Sequence, residues 1–113
     1  MNIQIFGQSK CHDTKKAQRY FKERRIKFQF VDILDKGLSK GELNSVIASV
    51  GFENLINPKS QDFLLFSYLA DSQKLGKVLE CPALYRTPIV RNGKSATVGY
   101  SPDIVKVWKS WED

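Results

Sequence analysis

The chain has 113 residues, 42% of them hydrophobic and 27% charged, a balance that supports one core and excludes an extended disordered chain. Its formal net charge of +6 admits an acidic partner, but no nucleic-acid motif accompanies the charge, so direct nucleic-acid binding is not expected. No apolar run approaches the roughly 18–20 residues that span a bilayer, and "MNIQIFGQSK" lacks the basic start and apolar stretch of a secretory signal, so the expectation is a cytoplasmic protein with no membrane partner.

"NIQIF", residues 2–6, alternates apolar and polar side chains as a half-buried strand does. Gly7, Gln8 and Ser9 break it. From Asp13 to about Arg25 the apolar positions Ala17, Tyr20 and Phe21 recur at helical spacing, with charge on the opposite face. Eight of the 18 basic residues fall between Lys10 and Lys27, and the plainest reading of that run is the solvated face of this helix. "KFQFVDI", 27–33, is a second strand. A strand, helix and strand in so short a span predict a right-handed βαβ unit with parallel strands.

Ser39 and Glu42 form a capping-box pattern at the start of a helix whose face is Leu43, Val46, Ile47 and Val50, and Gly51 suits its end. "ENLINPKS" is a connector, "SQDFLLFSYLA", 60–70, a short apolar helix, and "SQKLGKVLE", 72–80, another that ends at Pro82. "TPIV", 87–90, and "SATV", 95–98, are strands on either side of "RNGK", whose Asn-Gly predicts a type I′ turn. Ser101 and Pro102 open a last helix carrying Ile104, Trp108 and Trp111 on one face. The order β-α-β, helical segment, β-β-α predicts an α/β protein of thioredoxin-like architecture. One domain over 1–113 would carry a mixed four-stranded sheet and a helical insertion at about 39–81.

The chain has two cysteines, Cys11 and Cys81, and one histidine, which is too few for a disulfide scaffold or a structural zinc site. Cys11 falls where the first strand gives way to the first helix. Unpaired amides of a helix's first turn, with the helix dipole, favour a thiolate by about 0.3–2 kcal/mol. Lys10, Lys15 and His12 are expected to add to that effect and Asp13 to oppose it. The polar flanks Ser9, Lys10, His12 and Asp13 speak for a reactive rather than a packed thiol. For Cys81, after "KVLE" and before "PALY", packing is the plainer reading, with a resolving role as the alternative. Pro88 stands at the head of the third strand, where a cis bond would turn the Thr87 backbone toward Cys11 and leave it free to pair with a bound thiol. His12 could shuttle protons, and Tyr100, after Gly99, could line the same end of the sheet.

"IFGQSKCHDTKKAQRYFKERRIKFQFVDI" resembles the N-terminal signature of the ArsC/Spx family, which includes glutaredoxin-type arsenate reductases. "LYRTPIVRNGKSATVGYSPDIVKVW" resembles its C-terminal signature. The resemblance implies that Cys11 is the catalytic or sensing cysteine and Pro88 the cis-proline. Beside them, His12, Thr14, Thr87 and Tyr100 are the candidate substrate- and thiol-binding residues. The arsenate reductases hold their oxyanion with three arginines, where this chain has Asn57, Thr87 and Tyr100. Arg86 and Arg91 lie near, but such bidentate binding is not reproduced by Asn, Thr or Tyr, so efficient arsenate reduction is not expected. The Spx regulators use a Cys-x-x-Cys switch, whose second position here is Thr14. The leading expectation is a thiol oxidoreductase with one nucleophilic cysteine and no tightly bound cofactor or metal. Glutathione, another low-molecular-weight thiol or a redoxin would be its reductant. The alternative is a Spx-like regulator that binds RNA polymerase without that switch.

Overall fold

In the computed structural model, residues 2–60, 63–81 and 84–112 are described, with Leu65 and Asp71 by their backbone alone. The predicted stop at Pro82 and residues 61 and 62 of the predicted 60–70 helix lie outside the described residues. The chain runs β1 (Ile3–Gly7), α1 (His12–Glu23), β2 (Phe28–Asp32), α2 (Lys40–Val50), α3 (Phe52–Leu55), α4 (Phe63–Ser67), α5 (Asp71–Glu80), β3 (Ile89–Asn92), β4 (Ser95–Val98) and α6 (Pro102–Glu112). The sheet has the order β2-β1-β3-β4. β1 pairs parallel to β2 and antiparallel to β3, and β3 pairs antiparallel to β4. This is the mixed four-stranded sheet that the element order predicts.

Strand periodicity places a core on each face of the sheet. Ile3, Ile5 and Val90 point to one face, where Ala17 and Phe21 of α1 and Trp108 of α6 cover them. The indole N–H of buried Trp108 donates to Thr97 Oγ1 at 2.8 Å, so the largest core side chain leaves no polar atom unpaired. Phe6 and Ile89 point to the other face and pack with Leu43 and Val46 of α2 and with Leu55, Phe66 and Val78 of the following helices. The helical segment is thus the second layer of the molecule.

Several local expectations need correction. The stretch read as a plain connector contains α3, and residues 55–57 run beside 84–86. Asn57 N–H donates to Leu84 O at 2.8 Å, Arg86 N–H donates to Leu55 O at 2.7 Å, and Ile56 forms a bridge with Tyr85. Of the predicted 60–70 helix, the described residues hold α4 over Phe63–Ser67, and it ends before residue 70. The third strand begins at Ile89 instead of residue 87, so Thr87 and Pro88 precede it. The hairpin is not a type I′ turn. Asn92 pairs with Ser95, so the two loop residues are Gly93 and Lys94, and only Gly93 has positive φ, at 62°. One positive φ at the first loop position is the pattern of a type II′ turn, which favours glycine there.

Candidate thiol site

Cys11 is the N-cap of α1, with extended backbone at φ −80° and ψ 119°. A turn closed by Cys11 N–H to Gln8 O at 3.0 Å carries the chain from β1 into the helix, and Cys11 O accepts from Lys15 N–H at 3.1 Å. The thiol is half-buried and free. Opposite it, the Thr87–Pro88 peptide is cis, as expected. Thr87 Oγ1 donates to Cys11 Sγ at 3.2 Å, and Thr87 O lies 4.0 Å from the same sulfur. Pro88 O accepts from Gly99 N–H at 2.8 Å, tying the proline to the turn that carries Tyr100.

Burial pushes the Cys11 pKa up. The Thr14 and Thr87 side chains and the Thr14 and Asp13 amides outweigh it, so the thiol titrates below its ordinary value. Of these groups, only Thr87 closes a hydrogen bond of full geometry in the structure. Thr14 Oγ1 has no bonded partner and the Cys11 side chain caps no amide, so the α1 groups act on the sulfur as oriented dipoles. The expected help from Lys10, Lys15 and His12, and the expected opposition from the Asp13 carboxylate, are not among the causes. Donors facing the sulfur account for the shift instead.

Cys11 opens on a groove of about 720 Å³ formed by the turn before α1, the connector at 57–59, the 85–87 segment and the turn after β4. Thr87 and Tyr100 line it as expected, together with Lys10, Asn57, Lys59 and Arg86. Tyr100 stands against Trp108 with ring centroids 5.9 Å apart, and Lys16 Nζ lies 5.4 Å from its ring centre. Arg86 is held by its Nε–H, which donates to Ile56 O at 3.0 Å. A slightly larger depression of about 830 Å³ between α2, β4 and α6 is lined by no cysteine, so the thiol chemistry points to the smaller groove.

The other candidates sit differently. His12 begins α1 with an exposed side chain and is not in the groove lining. Thr14 is fully buried beneath the sulfur and does not face the groove. Pro88 is buried behind Thr87. Cys81 caps the C-terminus of α5 and packs against the core of the helical segment, away from the groove lining. Arg91 is turned to the sheet, where Nη1 donates to Gln4 Oε1 at 2.6 Å and lies 3.7 Å from Glu42 Oε2. Of the two arginines near Thr87 in sequence, only Arg86 reaches the groove. Lys59 was not legible as a groove residue, because only the pairing of 55–57 with 84–86 brings it there. No cluster of three or more metal-ligating side chains occurs among the described residues.

A βαβ half and a ββα half around one mixed sheet, with the helical segment between them, define a thioredoxin-like fold. The sequence model of the ArsC family matches residues 6–107, and the chain belongs to that family. Among curated proteins it is similar to "Global transcriptional regulator Spx 2" of Oceanobacillus iheyensis, 28% identical over 99% of this chain and 94% of the relative. It is also similar to "Global transcriptional regulator Spx" of Streptococcus pyogenes, 25% identical over 96% of this chain and 85% of that one. Among solved structures, an arsenate reductase from Vibrio cholerae superposes with a TM-score of 0.82 at 22% identity, over 95% of this chain and 97% of that one, which shows the shared fold.

Proposed function

We propose that this protein is a thiol oxidoreductase in which Cys11 is the sole nucleophile. The observation that carries the reading is a cysteine of lowered pKa at a helix N-terminus, bonded by Thr87 Oγ1 and open to a groove. The Cys11 thiolate attacks one sulfur of a disulfide R–S–S–R′. A Cys11–S–S–R bond forms, the S–S bond of the substrate breaks, and R′S⁻ leaves with the electron pair. A second thiolate R″S⁻, from glutathione, another small thiol or a redoxin, then attacks the sulfur of R. It releases Cys11 as thiolate and R–S–S–R″ as product. Thr14 stands where a second cysteine of a Cys-x-x-Cys pair would, and Cys81 is outside the groove lining, so resolution comes from outside the chain. Thr87 and Tyr100 flank the incoming thiol, and a reducing cytoplasm is the setting this chemistry needs.

The test is reduction of a mixed disulfide of glutathione in a coupled assay, with mass spectrometry of Cys11 after mild oxidation of cell extract. Turnover lost in Cys11→Ser and a small-thiol adduct on Cys11 are the expected results. Turnover that persists in Cys11→Ser overturns the reading.

A second reading is favoured by the relatives, which are named as transcriptional regulators. In it the protein is a Spx-like regulator that docks on RNA polymerase through the helical segment and the basic face of α1. Leu64 and Tyr68, 65% and 80% exposed, support a contact surface on the helical segment. Co-purification with polymerase that survives Cys11→Ser, without disulfide turnover, would replace the first reading with this one.

A further inference from the structure

Thr14 is fully buried, yet its hydroxyl makes no hydrogen bond. A buried hydroxyl without a partner is costly, and such groups are few in folded proteins. A threonine within a helix usually returns its hydroxyl to the carbonyl three or four residues back, which Thr14 does not do. The site also makes room for this side chain. At the C-terminal end of β1, a Cβ on Gly7 would lie 2.5 Å from Thr14 Cγ2, closer still to Oγ1, and 3.0 Å from Thr14 Cβ. Gly7 has no positive φ, so its backbone does not require glycine. The close approach of Thr14 does.

We propose that the Thr14 hydroxyl is a positioning donor reserved for the ionised Cys11 sulfur, and that Gly7 is the glycine that lets it stand there. Cys11 and Thr14 are the N-cap and third residue of the α1 terminus, the spacing at which an N-cap acceptor meets the first turn. A neutral thiol is a weak acceptor and leaves the hydroxyl idle. A thiolate is a strong one, and the hydroxyl closes on it when the proton leaves. The lowered Cys11 pKa, with Thr14 foremost among the groups that lower it, agrees. The charged and titratable groups lining the groove around the sulfur are Lys10 and Asp13 from its own turn, Lys59 from the connector, Arg86 and Tyr85 from the segment before β3, and Tyr100 from the turn after β4. None of them hydrogen-bonds Thr14 Oγ1. The inference deepens the thiol reading above and rests on Cys11 acting as a thiolate.

The experiment is the pH dependence of Cys11 alkylation by iodoacetamide in the full chain, with Cys81 replaced by alanine so that one thiol reports. This readout needs no disulfide turnover. Thr14→Val, which keeps the shape and removes the hydroxyl, is expected to raise the inflection by about one pH unit, as loss of one hydrogen bond to a charged group does. Thr14→Ser is expected to restore it. Thr14→Ala removes the same hydroxyl in a better helix former and reads the same shift if the valine variant folds poorly. Gly7→Ala is expected to raise the inflection in the parent protein and to add less on the Thr14→Ala background, where the Oγ1 and Cγ2 clashes are gone and only the 3.0 Å approach to the residue 14 Cβ remains. An inflection that does not move in either hydroxyl-free variant, or that moves equally in Thr14→Ser, overturns the inference. A shift as expected in a protein that reduces no disulfide upholds the inference and sinks the oxidoreductase reading instead.

Discussion

Cys11 sits in a polar turn with its side chain half-exposed, so its replacement removes chemistry and little packing. Cys11→Ser is expected to abolish disulfide exchange and, at a pH where the thiol is protonated, to change stability by no more than about 0.5 kcal/mol, as surface substitutions do. Thermal melts and the coupled assay on the same preparation check both halves. The thiol also ties stability to pH. Its pKa in the folded protein lies below the ordinary thiol value. The folded state therefore binds fewer protons at this site than the unfolded chain. The stabilisation is fully present above the unfolded value of about 8.5 and is lost as pH falls through the folded value. Denaturant midpoints of the wild type minus those of Cys11→Ser should rise as pH climbs toward about 8.5 and level off beyond it. A difference that is flat across this window would show that the thiolate gains nothing on folding.

The ends of the helices separate what local sequence can say from what it cannot. At α2, Ser39 Oγ accepts from Glu42 N–H at 3.2 Å, and Glu42 Oε1 accepts from Ser39 N–H at 2.8 Å. That box is legible in sequence because both partners lie within one turn. Ser39→Ala is expected to cost about 1 kcal/mol in a denaturant melt. The end of α1 carries no such sign. Ile26 N–H donates to Phe21 O and Arg25 N–H to Lys22 O, the two bonds of a Schellman motif, and Arg25 takes the left-handed position at φ 59°. Glycine normally marks that position, and with arginine there the helix pattern reads on to about residue 25. A left-handed non-glycine residue costs about 1–2 kcal/mol, part of which glycine returns through its freer unfolded state. Arg25→Gly is thus expected to stabilise the protein by about 0.5–1 kcal/mol, read as a higher urea midpoint. The hairpin is a lesson of the same kind. Asn-Gly was legible as a turn, but strand pairing through Asn92 moves the loop one residue on, to Gly93 and Lys94.

At the scale of the whole molecule, the element order and the mixed four-stranded sheet were legible because strand alternation and helix periodicity record which face of each element is buried, whereas the strand order β2-β1-β3-β4 is set by pairings that no local pattern records. The groove was legible in part, because the proline at residue 88 signalled that Thr87 faces Cys11 and the end of β4 offered Tyr100, while its other walls come from separated segments. Cys11 and Thr87 lie 76 residues apart and meet only across the sheet. Lys59 and Arg86 join them only through the pairing of 55–57 with 84–86. The assembled groove also bears on arsenate. Binding a tetrahedral oxyanion beside the thiolate calls for guanidinium groups that converge on one point. Asn57 Oδ1 instead accepts from Lys59 N–H at 3.0 Å, Thr87 Oγ1 is engaged with Cys11 Sγ, and Tyr100 lies against Trp108. Arg91 is bound to Gln4 and Glu42 on the sheet. Among the described residues Arg86 remains as the one guanidinium of the groove, and removal of a single oriented donor elsewhere costs about 10²–10³ in rate. In a glutathione-coupled arsenate assay, the wild type is therefore expected to turn over at least about 10²-fold more slowly than an authentic arsenate reductase. Arg86→Gln should leave that residual rate unchanged. Turnover equal to the authentic enzyme, lost on Arg86→Gln, would show that one arginine with Lys10 and Lys59 suffices to hold the oxyanion.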